Sequence, residues 1–292
     1  MSDCPENISY DALKSLLFVP ALNDRFIDNA HTRGAQAVVL DLEDSIIYER
    51  KLDARTALAS AVKRIQPHGF PILVRVNNTP ELLVDDLRAA VQSGANAILI
   101  PKIDTAEMLR HADELITRFE SEANIPNQTI KHVALIESPT GIFNLPHIVH
   151  ASERLRGLGF GSEDYAALLG IEPTTDALSV PAQQLAVVAR ACGLAAWGIP
   201  GSIGDFNDTE GFLNLVRKAR TFGFTGTLGI HPKQIAVINI GFQPSEEERS
   251  LAQRIIEAYE TAQRNGSGAV ALDGKMIDAP IVERARRTLA AS

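Results

Sequence analysis

Three charged residues of this chain follow short apolar runs of the kind that form buried β-strands. Arg75 stands in ILVRVN, Glu137 in VALIES and Asp164 in LGFGSEDY. An ionised side chain at the end of a buried strand is costly unless solvent, a metal ion or a substrate compensates for its burial. If the strands are parallel neighbours, the three side chains converge on one face. One arginine and two carboxylates there predict a metal-assisted site for an anionic substrate.

The available ligand atoms favour a hard divalent cation. Oxygen ligands without a cysteine cluster favour Mg²⁺, with Mn²⁺ as the alternative, over zinc. Mg²⁺ commonly takes one or two protein carboxylates and keeps positions for water and substrate, and Glu137 and Asp164 fit that role. Glu43 and Asp44 are predicted to orient water around the metal. Arg75 fits a planar, two-point clamp on a substrate carboxylate.

Small residues lie beside Asp164 in GFGSEDY. We therefore predict that Gly161, Ser162 and Glu163 belong to the substrate site, where backbone N–H groups approach a substrate oxygen. Such a site holds an oxyanion and stabilises enolate charge, an effect on the order of several kcal/mol in the transition state.

Eight apolar runs must position these side chains. Runs without polar alternation are typical of parallel strands buried on both faces, and helical segments with apolar residues at spacings of three and four separate them. Eight strand–helix units predict a (β/α)8 TIM barrel with its active site at the carboxyl ends of the strands. A doubly wound sheet is the alternative, but PALND follows the first run where that fold favours GxGxxG. The runs span residues 16–20, 37–43, 72–77, 97–102, 133–138, 155–161, 194–200 and 228–232.

Charged residues collect at the predicted carboxyl ends of the strands, whereas mostly small and apolar residues mark the opposite ends. This asymmetry favours an enzyme. For Asp41, Lys102 and His231, a structural ion pair is an equally good interpretation of each residue taken alone. The whole set, which also includes the uncharged Asn77, is Asp41, Glu43, Asp44, Arg75, Asn77, Lys102, Glu137, Glu163, Asp164 and His231.

The predicted barrel spans residues 1–242, and a C-terminal helical extension spans residues 243–292. The segment PSEEERSLAQRIIEAYETAQRNG predicts a long polar helix with a serine cap and an acidic first turn. Because the extension lies beyond the eighth strand, the barrel does not need it for closure. Packing on a neighbouring subunit and folding back on its own barrel are both compatible with the pattern.

Composition narrows the classes of partner. With 292 residues and a formal net charge of −8, the chain lacks the excess of basic residues that is typical of nucleic-acid-binding proteins. No apolar stretch approaches the roughly 20 residues of a membrane helix. The start MSDCPENISYDALK lacks the features of a secretion signal, and Cys4 and Cys192 form neither a metal pattern nor a disulfide framework. We expect a reduced, cytoplasmic protein without a nucleic-acid or membrane partner.

Many segments resemble the citrate lyase beta-subunit-like family, which contains malyl-CoA and citramalyl-CoA lyases and belongs to the HpcH/HpaI aldolase superfamily. The resemblance runs in unbroken order from about residue 14 to residue 290. The motifs DLEDS, IES, GSEDY and IHPKQ are together far more specific than any one of them alone.

The resemblance implies a metal-dependent (β/α)8 lyase that breaks or forms a carbon–carbon bond next to a thioester. Glu137 and Asp164 would bind Mg²⁺, and Arg75 would hold the keto-acid product and its developing charge. In this family an aspartate from the C-terminal segment of a neighbouring subunit acts as acid or base, and Asp278 in DGKMIDAP matches its position. A homo-oligomer, a trimer or a hexamer, would then be part of catalysis.

The resemblance also implies where coenzyme A lies. Lys14, Phe18, Pro20 and Arg25 fall in the segment where such enzymes accommodate it. A CoA thioester and a small keto acid are therefore the implied binding partners.

The chain departs from the family after the seventh strand. Members commonly carry an aspartate there, in a segment reading roughly Ala-Ile-Asp, whereas this chain reads LAAWGIPGSIGDF with Trp197 and Gly198 in its place. We expect Trp197 to fill the barrel end. The altered loop bears on the acyl pocket, so the resemblance does not specify the substrate.

The leading hypothesis is a lyase that cleaves malyl-CoA or citramalyl-CoA to acetyl-CoA and glyoxylate or pyruvate. The alternatives are a citrate lyase beta subunit that acts on a citryl thioester of a carrier protein, and a malyl-CoA thioesterase. Aldol cleavage of a free hydroxy-keto acid has no need of the acid Asp278. A non-catalytic binding protein leaves the combination of Arg75, Glu137, Asp164 and Asp278 unexplained.

Overall fold

A computed structural model describes residues 8–290, with an eight-stranded parallel sheet at its centre. Each strand lies within or overlaps one of the eight apolar runs, in the predicted order, and the (β/α)8 barrel is confirmed. The strands are β1 Ser15–Pro20, β2 Ala37–Asp41, β3 Ile72–Arg75, β4 Ala97–Ile100, β5 Lys131–Ile136, β6 Leu155–Phe160, β7 Ala195–Trp197 and β8 Thr227–Gly229.

The sheet curls on itself until its two ends meet. Neighbouring strands follow the order β7-β6-β5-β4-β3-β2-β1-β8. Trp197 at the end of β7 forms a parallel bridge with Gly226, immediately before β8. The backbone N–H of Thr225 also donates to the carbonyl of Ala196 at 2.7 Å. Because the strands are short at this seam, few hydrogen bonds close the barrel.

Helices surround the strands, and side chains cap helix starts both in the barrel and in the C-terminal extension, where the predicted serine cap is confirmed. The Asp208 side chain accepts from the backbone N–H of Gly211 at 2.9 Å, and Ser245 and Glu248 form a capping box. Within residues 8–290, none of the helices is both long and apolar enough to cross a membrane. The barrel helices are α1 Asp24–Asn29, α2 Lys51–Ile65, α3 Leu83–Ser93, α4 Ala106–Glu122, α5 Pro139–Ile148, α6 Ser162–Leu169, α7 Thr175–Ala191, α8 Thr209–Phe222 and α9 Pro232–Phe242.

The barrel interior is a packed apolar core. It includes Leu16, Val39, Leu99 and Leu135 from four different strands. Trp197 lies among them with no exposed surface, which confirms that this side chain fills the barrel. Its Nε1 atom is buried without a hydrogen-bond partner among the described residues, so the packing of the ring must outweigh the cost of an unpaired donor.

The chain divides into two compact units between Ile240 and Gly241. The second unit contains two helices, α10 Glu246–Arg264 and α11 Ala279–Ala290, which pack against each other. Between them lies a hairpin of β9 Val270–Leu272 and β10 Lys275–Ile277. The sequence analysis missed this hairpin, although its two-residue Asp-Gly turn between apolar residues is a strong local signal.

Candidate active site

A cavity of about 580 Å³ opens at the carboxyl ends of the strands. We call this end of the barrel the rim. The active site was predicted at this end of the barrel from the charged residues that follow the strands. Of the predicted residues, those lining the cavity are Phe18, Pro20, Asp41, Asp44, Arg75, Glu137, Gly161, Ser162, Glu163 and Asp164.

Arg75 makes a two-point contact with the neighbouring strand at the rim. It ends β3 directly opposite Asp41, the last residue of β2. Its Nε donates to Asp41 Oδ1 at 2.6 Å and its Nη2 to Asp41 Oδ2 at 2.8 Å. Its guanidinium carbon lies 4.5 Å from the ring centre of Phe18, which packs on the flat face. Asp41 is therefore in an ion pair, but its partner is a residue of the candidate site.

Two further carboxylates reach the other end of the Arg75 guanidinium. Nη1 lies 2.9 Å from Glu43 Oε2 and 2.9 Å from Asp44 Oδ2. Glu43 also accepts from Lys102 Nζ at 2.9 Å through its second oxygen. Glu43 and Asp44, predicted to orient water around a metal, thus contact cations of the protein itself here.

The charges of this cluster reinforce one another. Burial opposes the charge of Arg75, but hydrogen bonding and attraction to Asp41 outweigh it and raise the pKa of the guanidinium. Burial likewise opposes ionisation of Asp41, yet the hydrogen bonds and charge of Arg75 lower the pKa of that carboxyl. Both groups are therefore ionised throughout the physiological range.

Glu137 has the opposite electrostatic environment. It follows β5, is 6% exposed, and accepts the backbone N–H of Lys102 at 2.8 Å. Lys102 adopts a left-handed φ of 54° where it makes this contact. Burial, then the negative charges of Asp164 and Glu43, raise the pKa of Glu137 to about 8. Glu137 therefore lies in a local excess of negative charge.

Asp164 lies beside Glu137 in the first turn of α6. Gly161 gives the Glu137 side chain room against the backbone, because a Cβ atom there would stand 2.5 Å from Glu137 Cγ. Within residues 8–290, no group of three or more His, Cys, Asp or Glu side chains has the arrangement of a metal site. Two carboxylates with water and substrate are nevertheless a common Mg²⁺ environment, and a dication would offset the excess charge around Glu137. The residues present therefore fit such an ion.

Glu163 binds a loop of its own chain. Its Oε1 accepts from Ser202 Oγ at 2.5 Å and from the backbone N–H of Ile203 at 3.0 Å. Gln234, which the sequence analysis did not single out, holds the same loop by donating to the carbonyl of Ile203 at 2.8 Å. Gln234 is 2% exposed and accepts the backbone N–H groups of Ile230 and His231. The glutamine of the IHPKQ motif was the feature of the sequence from which its role could have been predicted.

Gly198 explains the departure after β7. It lines the cavity with a φ of 150°, and a Cβ atom there would lie 2.9 Å from Phe160 Cβ. Any side chain at this position therefore meets both backbone strain and a close contact. The aspartate that the family resemblance led us to look for is not accommodated at position 198 without a shift of Phe160.

Other predicted residues lie outside the cavity lining. His231 stacks on Phe206 with 4.4 Å between ring centres, and Asn77 donates to the carbonyl of Leu42 at 2.8 Å. Lys14 precedes β1 and so lies at the opposite end of the barrel from the rim. Cys4 lies outside the described residues.

Asp278 belongs to the second compact unit, between β10 and α11. Its carbonyl accepts the backbone N–H groups of Ile281 and Val282 at 3.1 Å each. Its side-chain Oδ1 is buried and has no hydrogen-bond partner within residues 8–290. An unpaired buried carboxyl oxygen is costly and suggests a role beyond packing.

Comparisons of the sequence and of the structure with known proteins all lead to one family. A profile of the HpcH/HpaI aldolase/citrate lyase family matches residues 14–232. Citrate lyase subunit beta of Escherichia coli K12 is 35% identical over 279 residues, which cover 94% of this chain and 92% of that protein. A (3S)-malyl-CoA thioesterase of Cereibacter sphaeroides is 34% identical over 281 residues, covering 95% and 93%.

Among solved structures, CitE of Mycobacterium tuberculosis in complex with magnesium, acetoacetate and coenzyme A superimposes with a TM-score of 0.76. It is 26% identical, and the match covers 96% of this chain and 98% of CitE.

Proposed function

The chain belongs to the HpcH/HpaI aldolase/citrate lyase family, and on that premise we propose that it is a Mg²⁺-dependent carbon–carbon lyase of CoA thioesters. It cleaves or forms a 3-hydroxy-3-carboxyacyl-CoA such as malyl-CoA or citramalyl-CoA, with acetyl-CoA and glyoxylate or pyruvate as the other partners. The observation that carries the proposal is one cavity lined by Arg75, the buried Glu137 and Asp164. The magnesium in the CitE complex supports the same metal here.

Cleavage requires stabilisation of negative charge on oxygen. The substrate hydroxyl passes its proton to a water molecule in the cavity, the electron pair of the carbon–carbon bond moves to the carbon next to the thioester, and a keto acid is released. Glu137 and Asp164 would hold Mg²⁺, which would supply Lewis-acid stabilisation of substrate oxygens. Arg75 binds the keto-acid oxygen, and the α6 N–H groups near Ser162 approach its carboxylate.

The remaining enolate carbon must be protonated. We assign this step to Asp278, whose side-chain Oδ1 has no hydrogen-bond partner within residues 8–290. In condensation the same carboxylate removes a proton from acetyl-CoA. We propose that Asp278 serves the barrel of a neighbouring subunit, so that the active protein is a homo-oligomer.

Two alternative activities each have support from several relatives. Resemblance to a citrate lyase beta subunit favours a citryl thioester on a carrier protein. Resemblance to a malyl-CoA thioesterase favours hydrolysis, in which water attacks the thioester carbonyl and releases CoA thiol with malate.

A single assay separates these activities. Purified protein is incubated with malyl-CoA and citramalyl-CoA, with Mg²⁺ or with EDTA, and keto acid is measured separately from free thiol. Metal-dependent keto acid without thiol supports the lyase. Thiol without keto acid supports the thioesterase, and the absence of both products supports a carrier-protein substrate.

A further inference from the structure

Arg75 enters the cavity with one edge already occupied. A guanidinium has five N–H donors, and the Nε–Nη2 edge is a natural two-point site for a carboxylate. In this protein Asp41 fills that edge with contacts of 2.6 and 2.8 Å. A substrate therefore cannot use this edge for the two-point clamp predicted from the sequence.

Asp41 is itself rigidly placed. It is 1% exposed, ends a barrel strand, and stands in register with Arg75. Its Oδ1 accepts the backbone N–H of Glu43 at 3.0 Å and its Oδ2 that of Ser45 at 3.1 Å. Both oxygens are thus held by the backbone as well as by Arg75, so the carboxylate cannot swing away to release the guanidinium.

The contacts at the opposite end of Arg75 are different in kind. Nη1 contacts Asp44, whose side chain is 61% exposed, and Glu43, which Lys102 also binds. An exposed ion pair contributes little free energy and exchanges readily. An anionic ligand can therefore displace Asp44 from Nη1 without disturbing the Nε–Nη2 edge.

We propose that Asp41 is the positioning residue of this site: by fixing the Nε–Nη2 edge of Arg75, it leaves the Nη1 end as the part that receives the substrate oxygen. Identification of that oxygen as one of a 2-oxo acid rests on the proposed function. Asp41 acts through Arg75, because both of its oxygens are already held by Arg75 and by the backbone.

The test compares Asp41→Asn with the wild type by calorimetry, using pyruvate in the presence of Mg²⁺ and, separately, Mg²⁺ alone. Asparagine loses the charge and one acceptor, so Arg75 is no longer held on two points. The dissociation constant for pyruvate should rise about 10- to 100-fold, the scale of a misplaced binding group. Mg²⁺ affinity should change by less than about threefold, because Glu137 and Asp164 are untouched.

A matched control exists at the other end of the barrel. Glu120 is fully buried and binds Arg154 on two points, Nη1 to Oε1 at 2.9 Å and Nη2 to Oε2 at 2.7 Å. Glu120→Gln should lower the melting temperature as Asp41→Asn does and leave both affinities unchanged. If the control weakens pyruvate binding equally, loss of stability explains the effect and the positioning role is wrong.

Two further measurements distinguish this inference from the proposed function. In Arg75→Gln, adding Asp41→Asn should cause no additional loss of pyruvate affinity, and a further loss would contradict action through Arg75.

The Nε–H of Arg75 should exchange slowly in nitrogen-15 NMR spectra of the wild type and rapidly in Asp41→Asn. Rapid exchange in the wild type overturns the inference, whereas absence of pyruvate binding with slow exchange overturns only the proposed function. If Asp41→Asn does not fold, Asp41→Glu, which displaces the carboxylate by one methylene, takes its place.

Discussion

Glu137 and Arg75 show how one rim holds groups with opposite electrostatic environments. Arg75 is surrounded by Asp41, Glu43 and Asp44, which stabilise its charge. Glu137 is buried next to other carboxylates, which destabilises its charge. The first arrangement orients a permanent cation, and the second creates a place where a divalent cation lowers the free energy of the folded protein.

The raised pKa of Glu137 makes the stability of the metal-free protein depend on pH. The folded state binds this proton more tightly than the unfolded chain, since the pKa rises from 4.5 to about 8. The resulting stabilisation is fully present below pH 4.5 and is lost as the pH rises through about 8. Above that pH, Glu137→Gln should melt several degrees higher than the wild type without metal, since about 1 kcal/mol shifts such a melting temperature by roughly 2–4 °C.

Scanning calorimetry from pH 5 to pH 9 checks this expectation, with the exposed Glu172→Gln as control. Mg²⁺ should raise the melting temperature of the wild type and leave that of Glu137→Gln unchanged, because a metal ligand has been removed. A variant that melts lower than the wild type at every pH, or that still responds to Mg²⁺, would contradict the assignment of Glu137.

At the scale of elements, the loop after β7 is shaped by Gly198 and by contacts from two other elements. Glu163 in α6 and Gln234 in α9 hold the loop at Ser202 and Ile203. These contacts position one wall of the cavity. The altered sequence of this segment therefore has a structural counterpart in the wall of the cavity.

Gly198→Ala should destabilise the protein by about 1–3 kcal/mol, the usual cost of a strained backbone conformation. The added Cβ would lie 2.9 Å from Phe160 and 3.1 Å from Phe224 at a φ of 150°. Gly268→Ala is the control, because no atom lies within 4 Å of a Cβ there. Urea unfolding measures both, and equal stability of the two variants would show that the loop relaxes freely.

At the scale of the whole molecule, the proposed exchange of Asp278 between subunits predicts complementation. Asp278→Asn removes the acid, and Arg75→Gln removes the contact to the keto acid, so each variant alone should lose lyase activity. In mixed oligomers, the intact Asp278 of one variant can meet the intact Arg75 of the other. Co-expression should therefore restore a measurable fraction of wild-type activity.

The coupled keto-acid assay measures this restoration, with each variant expressed alone as the control. Size-exclusion chromatography and mass spectrometry confirm that both variants are present in one oligomer. Inactive mixed oligomers would indicate that Asp278 serves its own barrel, or has no role as an acid.

The eight strands and their order could be predicted from the sequence because burial on both faces leaves uninterrupted apolar runs. The helix caps at Asp208 and Ser245 were equally predictable, since a cap depends on residues within one turn. Placement of Arg75, Glu137 and Asp164 at one rim then followed from the geometry of parallel strands.

Only the tertiary structure decided which charges pair. Arg75 and Asp41 are 34 residues apart, and Glu163 and Ser202 are 39 apart. Whether two such side chains meet depends on strand register and on the path of the loops. The apolar pattern of a sequence does not specify either of them with the precision that a hydrogen bond requires. The types of residue at the rim are therefore determined locally, whereas the edge that Arg75 presents is determined by the closed barrel.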